Sequence, residues 1–135
     1  MTGFSARPDL RLILRVDGAA CLVMGAGLAT LASPLGALTD MPPAFLRATG
    51  LLLVPIATII LAIASRSRIP ARGVALIVAG NTAWVVASLA LPLLGLIQPN
   101  ALGWMLLLGQ AAAVAGLAGL EQAHRPGRRT RMSEA

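Results

Sequence analysis

Residues 73–120 read GVALIVAGNTAWVVASLALPLLGLIQPNALGWMLLLGQAAAVAGLAGL, without one ionisable side chain. A bilayer core of about 30 Å takes about 20 helical residues at 1.5 Å each, so this run is too long for one crossing and right for two. The interruption falls at Gln98-Pro99-Asn100, three turn formers in an otherwise apolar pattern. Two membrane helices are predicted, over residues 73–97 and 101–120.

The same rule finds two more spans upstream. No charge separates Asp17 from Asp40, which predicts a helix over residues 16–38. A further apolar run over residues 45–64 has Arg47 near its start and Arg66 just past its end. Pro55 and Pro92 lie inside predicted helices, where each removes a backbone bond, to the carbonyls of Leu51 and Ser88 respectively, and introduces a kink. In lipid such kinks survive only where neighbouring groups satisfy the freed carbonyls.

Composition agrees with that reading. The 135 residues are 57% hydrophobic and 12% charged, against about 25% charged in an average soluble domain. A water-soluble globule is excluded. The expected architecture is an all-α polytopic membrane protein, one membrane domain over residues 1–135. Four transmembrane helices form an antiparallel bundle, followed by a basic cytoplasmic tail over residues 121–135.

Charge gives the orientation. All eleven basic residues are arginine and the net charge is +6. All but Arg47 fall in the N-terminal segment, the loop with Arg66, Arg68 and Arg72, or the tail with Arg125, Arg128, Arg129 and Arg131. Arginine marks the cytoplasmic side, so both termini are expected in the cytoplasm, with the chain in the cell inner membrane. The tail suits anionic lipid. No aromatic residues alternate with the arginines as a nucleic-acid platform requires, so no nucleic-acid partner is expected. A competing reading makes the N-terminus a cleaved signal peptide, with Arg7 to Arg15 as its charged part and Ala32 at the cleavage site, leaving three spans.

Few residues offer chemistry. Cys21 is the single cysteine and His124 the single histidine, so a zinc site lacks ligands. General acid–base or nucleophilic catalysis needs paired groups within reach, and no such constellation is visible, so neither an enzyme nor a cofactor is expected. Asp17 stands at the lip of the first span. An intramembrane acid is a candidate proton or cation site; the plainer reading is an ion pair with Arg72 or Arg68 at the same depth. Asn81 and Gln110, eight and nine residues into the third and fourth spans, are expected to meet near mid-membrane in an amide–amide hydrogen bond. Ile77, Asn81, Trp84 and Ser88 share a helix face. With Gln110 opposite, that face reads either as the wall of a small-ligand pocket or as glue between helices.

Association in lipid rests on small residues that let backbones approach. Asp17, Cys21, Gly25, Ala29 and Ser33 form such a face on the first span, Ala79, Ala83 and Ala87 on the third, and Gly109, Ala112, Gly116 and Gly119 with Ala115 on the fourth. The second span has fewer and is expected at the periphery.

Leu14-Arg15-Val16-Asp17-Gly18 opens the first span, Leu46-Arg47-Ala48-Thr49-Gly50 the second, and Gly80-Asn81-Thr82-Ala83-Trp84 lies in the third. In these segments the chain resembles small four-span bacterial inner-membrane proteins of unknown function. The resemblance implies a location and an architecture and no reaction. The functional expectation is a structural or accessory subunit, associating through small-residue faces with a membrane-complex partner or a second copy. The alternative is a small oligomeric transporter or channel using Asp17 or the Asn81, Trp84 and Gln110 region.

Overall fold

The computed structural model describes residues 9–126. Arg7 and the arginines from 128 onward, assigned above to topology and lipid contact, lie outside them. The described chain is all-helical: α1 (Leu10–Thr30), α2 (Ala32–Thr39), α3 (Pro43–Ala64), α4 (Ala71–Leu93) and α5 (Ala101–Ala123). Four of these, α1, α3, α4 and α5, are long and apolar enough to cross a membrane.

The first predicted helix, over 16–38, is in fact two. Pro34 has no amide hydrogen for the Thr30 carbonyl, and the backbone breaks at Leu31 before α2 begins. α2 stops at Asp40, whose φ of 57° is left-handed, a conformation an aspartate tolerates better than most residues. Pro43 then opens α3, where its missing N–H costs nothing. α4 ends at Leu93, short of the expected 97, because Pro92 and a left-handed Gly95 (φ 73°) turn the chain out of the helix.

α1 packs most extensively on α3, and α4 on α5. A Cβ on Gly25 would lie 2.9 Å from the Gly50 carbonyl oxygen, and one on Gly50 would lie 2.5 Å from the Ala29 nitrogen. The α1 and α3 backbones therefore touch. Gly18 meets Leu61 on the same seam, so residues early in α1 face residues late in α3. The Arg11 guanidinium donates to the carbonyls of Ala64 and Ser67, closing the C-terminal end of α3; cations are favoured there because the last carbonyls lack helical partners.

The expectation that the second span is peripheral is corrected. Leu46, Gly50, Leu53, Ala57, Ile60 and Ala64 of α3 are all buried, alternating by four and three residues along one continuous face. Gly25 of α1 and Gly50 of α3 at the crossing let that face lie directly on α1. Conversely, Ala79, Ala83 and Ala87 on α4, and Gly109, Ala112, Ala115, Gly116 and Gly119 on α5, are exposed. Those small-residue faces do not serve packing within the chain.

At the opposite end from Arg11, the α4–α5 connection is tied to α2. Asn100 caps α5 by accepting from the Gly103 amide, while its Nδ2 donates to the Leu38 carbonyl and its backbone N–H to the Thr39 carbonyl. Gly103 is obligatory here, since a Cβ would sit 2.8 Å from the Thr39 oxygen. Ile97 packs beside Ala32, Met41 and Leu46 under this loop, and a second cluster of Leu14, Ile60, Ala64, Val74 and Ile77 fills the Arg11 end.

Candidate functional site

Three polar side chains from three helices meet in the interior. Asp17 of α1 is 1% exposed, Asn81 of α4 7% and Glu121 of α5 0%. The Asn81 Nδ2 donates to Asp17 Oδ2 at 2.9 Å and to Glu121 Oε2 at 3.1 Å. Its two hydrogens are thus spent on two acids, one on each side. Cys21, one turn along α1, directs its thiol to Asp17 Oδ1 at 3.8 Å, a weak donor contact.

The expected ion pair of Asp17 with Arg72 or Arg68 is absent. Both arginines are exposed, and the Asp17 carboxyl is held by Asn81 and Cys21 instead. Depth explains the difference: Arg72 is at the first turn of α4, about 13 Å along the axis from Asn81, which is the residue level with Asp17. The Asn81–Gln110 hydrogen bond is also not formed, because Asn81 is committed to the two acids.

The tail expected from residue 121 begins later than its charge suggests. α5 continues past Leu120 to Ala123, and Glu121 turns inward. Its Oε1 is buried without a hydrogen-bond donor among the described residues. The Asp17 and Glu121 carboxyls converge on a single nitrogen, Asn81 Nδ2, and acids gathered this closely are relieved when one of them carries a proton. Among the described residues no arginine bonds either acid, and the sequence has no lysine. Two bare carboxylates facing each other in an apolar interior with a single amide between them are strongly disfavoured, so the arrangement calls for one positive charge, a shared proton or a cation.

A second network lies deeper along α4. Trp84 Nε1 donates to Gln110 Oε1 at 2.7 Å, Gln110 Nε2 donates to Ser88 Oγ at 2.8 Å, and Ser88 Oγ donates to the Trp84 carbonyl at 2.8 Å. The ring of bonds is closed within the α4–α5 pair. It satisfies the indole in a region where water is scarce.

Between the two helix pairs lie adjoining cavities of about 640 Å³ and 310 Å³, which share Met24, Gly80, Trp84 and Gln110 as a common wall. Asp17 and Asn81 line the smaller one, and the rest of its lining is almost entirely hydrocarbon. No group of three or more metal-ligating side chains of His, Cys, Asp or Glu is present among the described residues. No protein-family model, curated protein or solved structure matches the chain.

Proposed function

We propose that this chain is a small proton-linked carrier of the inner membrane, whose exchangeable proton is shared by Asp17 and Glu121. The observation that carries the reading is the pair of fully buried carboxyls on different helices, bridged by one amide and without a basic partner among the described residues. A purely structural core gains nothing from two such acids. Replacing them by apolar residues of similar volume is commonly neutral or stabilising. A carboxyl inside a membrane bundle is by default a site of proton or ion movement. The four spans are arranged as an antiparallel bundle with both ends in the cytoplasm, a reading supported by the concentration of arginine on that side.

The direct test is a proton count. Purified wild type in detergent, taken from pH 8 to pH 5 in unbuffered solution, binds more protons than the Asp17→Asn/Glu121→Gln double variant. Coincident titration curves for the two folded proteins would remove the basis of the proposal.

A second reading, an accessory subunit of a larger membrane complex, is favoured by one observation. Gly109, Ala112, Gly116 and Gly119 form an exposed line on α5, and the space around each glycine is open. A partner helix lying flush on that line would co-purify after gentle extraction and be lost on Gly116→Leu.

A further inference from the structure

The smaller cavity presents acceptors and no free cationic donor. Asp17 and Cys21 face it from α1, Asn81 from α4, and Glu121 stands behind Asn81 on α5. The α3 wall, formed by Leu53, Ile56, Ile59 and Ile60, carries no titratable group. Both hydrogens of the Asn81 amide point to the acids, and the Trp84 N–H is consumed by Gln110. Asp17 Oδ1, in the lining, receives only the weak Cys21 thiol contact, and Glu121 Oε1 behind the wall has no donor among the described residues. What is missing is therefore an N–H or O–H group bearing positive charge, on a body that is otherwise hydrocarbon.

The entrance agrees with such a molecule. Ile59 of α3 and Leu76 of α4 line the cavity and are 51% and 62% exposed, so its mouth opens between these two helices onto the lipid-facing surface. An amphipathic amine dissolved in the bilayer meets that mouth body first. At 310 Å³ the space falls at the lower end of the range of about 300–1,000 Å³ used for small organic ligands.

We propose that the cavity binds a primary or secondary ammonium with a compact apolar body, its N–H group on the Asp17 carboxyl that faces the space, in exchange for the proton Asp17 shares with Glu121. One cation enters and one proton leaves, so the charge of the site is unchanged. An anion of the same shape is repelled by the acids. A neutral analogue fills the volume and leaves the carboxyls unanswered. This inference rests on the proton-site reading above, and the two are separable by experiment.

Three probes with one hydrocarbon cage isolate the charge: 1-aminoadamantane, 1-adamantanol and 1-adamantanecarboxylate. Trp84 lines both cavities, and Trp104→Phe leaves it as the single indole, so its emission in detergent reports binding. The amine is expected to bind at pH 8, to release protons into unbuffered solution and to bind less as pH falls. The alcohol and the carboxylate bind weaker by about tenfold or more, the loss expected for a charge-assisted bond. Asp17→Asn/Glu121→Gln removes the preference for the amine.

Gly80→Leu is the separating variant. A Cβ at Gly80 meets nothing within 4 Å, and the residue borders both cavities, so a leucine there occupies the space without touching the acids. It is expected to abolish amine binding and to keep the pH 8 to pH 5 proton uptake. Equal affinity for amine and alcohol, or amine binding that survives Gly80→Leu or the double acid variant, would overturn the inference. If proton uptake is present in wild type and the amine fails to bind, the ligand class is wrong and the proton site stands. If uptake is absent, both fall together.

Discussion

Replacing Gly50 by alanine tests whether backbone contact holds α1 on α3. The new Cβ would lie 2.5 Å from the Ala29 nitrogen, 2.6 Å from the Gly25 oxygen and 2.9 Å from the Leu28 Cβ. All three lie inside ordinary contact distance, and the first two are backbone atoms that cannot rotate away. The helices must separate by about 1 Å, and a gap of that size forfeits roughly a quarter to a half of each dispersion contact along the seam. Lipid supplies no hydrophobic force to offset this, so the expected cost is about 1–3 kcal/mol, the usual range for overpacking. Gly25→Ala opens the same gap, so the double variant should cost less than the sum of the singles. Gly116→Ala is the control, with open space around its Cβ and a gain in helix propensity of up to about 1 kcal/mol. Equilibrium unfolding in mixed micelles, followed by circular dichroism, measures all four. A Gly50→Ala protein within about 0.5 kcal/mol of wild type would refute the close approach.

Two further outcomes follow from the polar networks. Asn81→Leu strips both acids of their shared donor and should destabilise by about 3 kcal/mol; adding Glu121→Gln should restore part of that loss, because an amide can donate to Asp17, and the same unfolding assay reads both. Gln110→Leu leaves the Trp84 N–H unpaired at a cost of about 1 kcal/mol, and in the Trp104→Phe background it should shift the Trp84 emission to the blue; an unchanged spectrum would mean the indole is bonded elsewhere.

The spans were legible because the cost of burying charge in hydrocarbon is large and the arginines are clustered. The close packing of α3 on α1 was not. The decisive residues are one glycine on each helix, Gly25 of α1 and Gly50 of α3, and their weight comes from facing each other. The polar register was closer to hand than the amide–amide pairing suggests. Reflecting the α4–α5 hairpin about Pro99 places Ser88 opposite Gln110, as found. It places residue 117 opposite Asn81, one turn short of Glu121. Gln110 and Glu121 are eleven residues apart, close to three full turns, so they share a face of α5. That phase relation was the available signal for Glu121. It was hidden because an ionisable residue after a long apolar run reads as the end of the span. The continuation of α5 to Ala123 depends on Asn81 and Asp17 being there to receive the carboxyl, which a local pattern does not reveal.

The Asn100 clamp has a mechanical corollary. It pins the α4–α5 hairpin to the α2 end, and at the acid end the halves are joined by residues 65–70 and by the packing of Leu14, Ile60 and Ala64 on Val74 and Ile77. Fastened at both ends, like the stiles of a ladder, the halves leave the acids reachable only sideways, through the gap between α3 and α4 that Ile59 and Leu76 border.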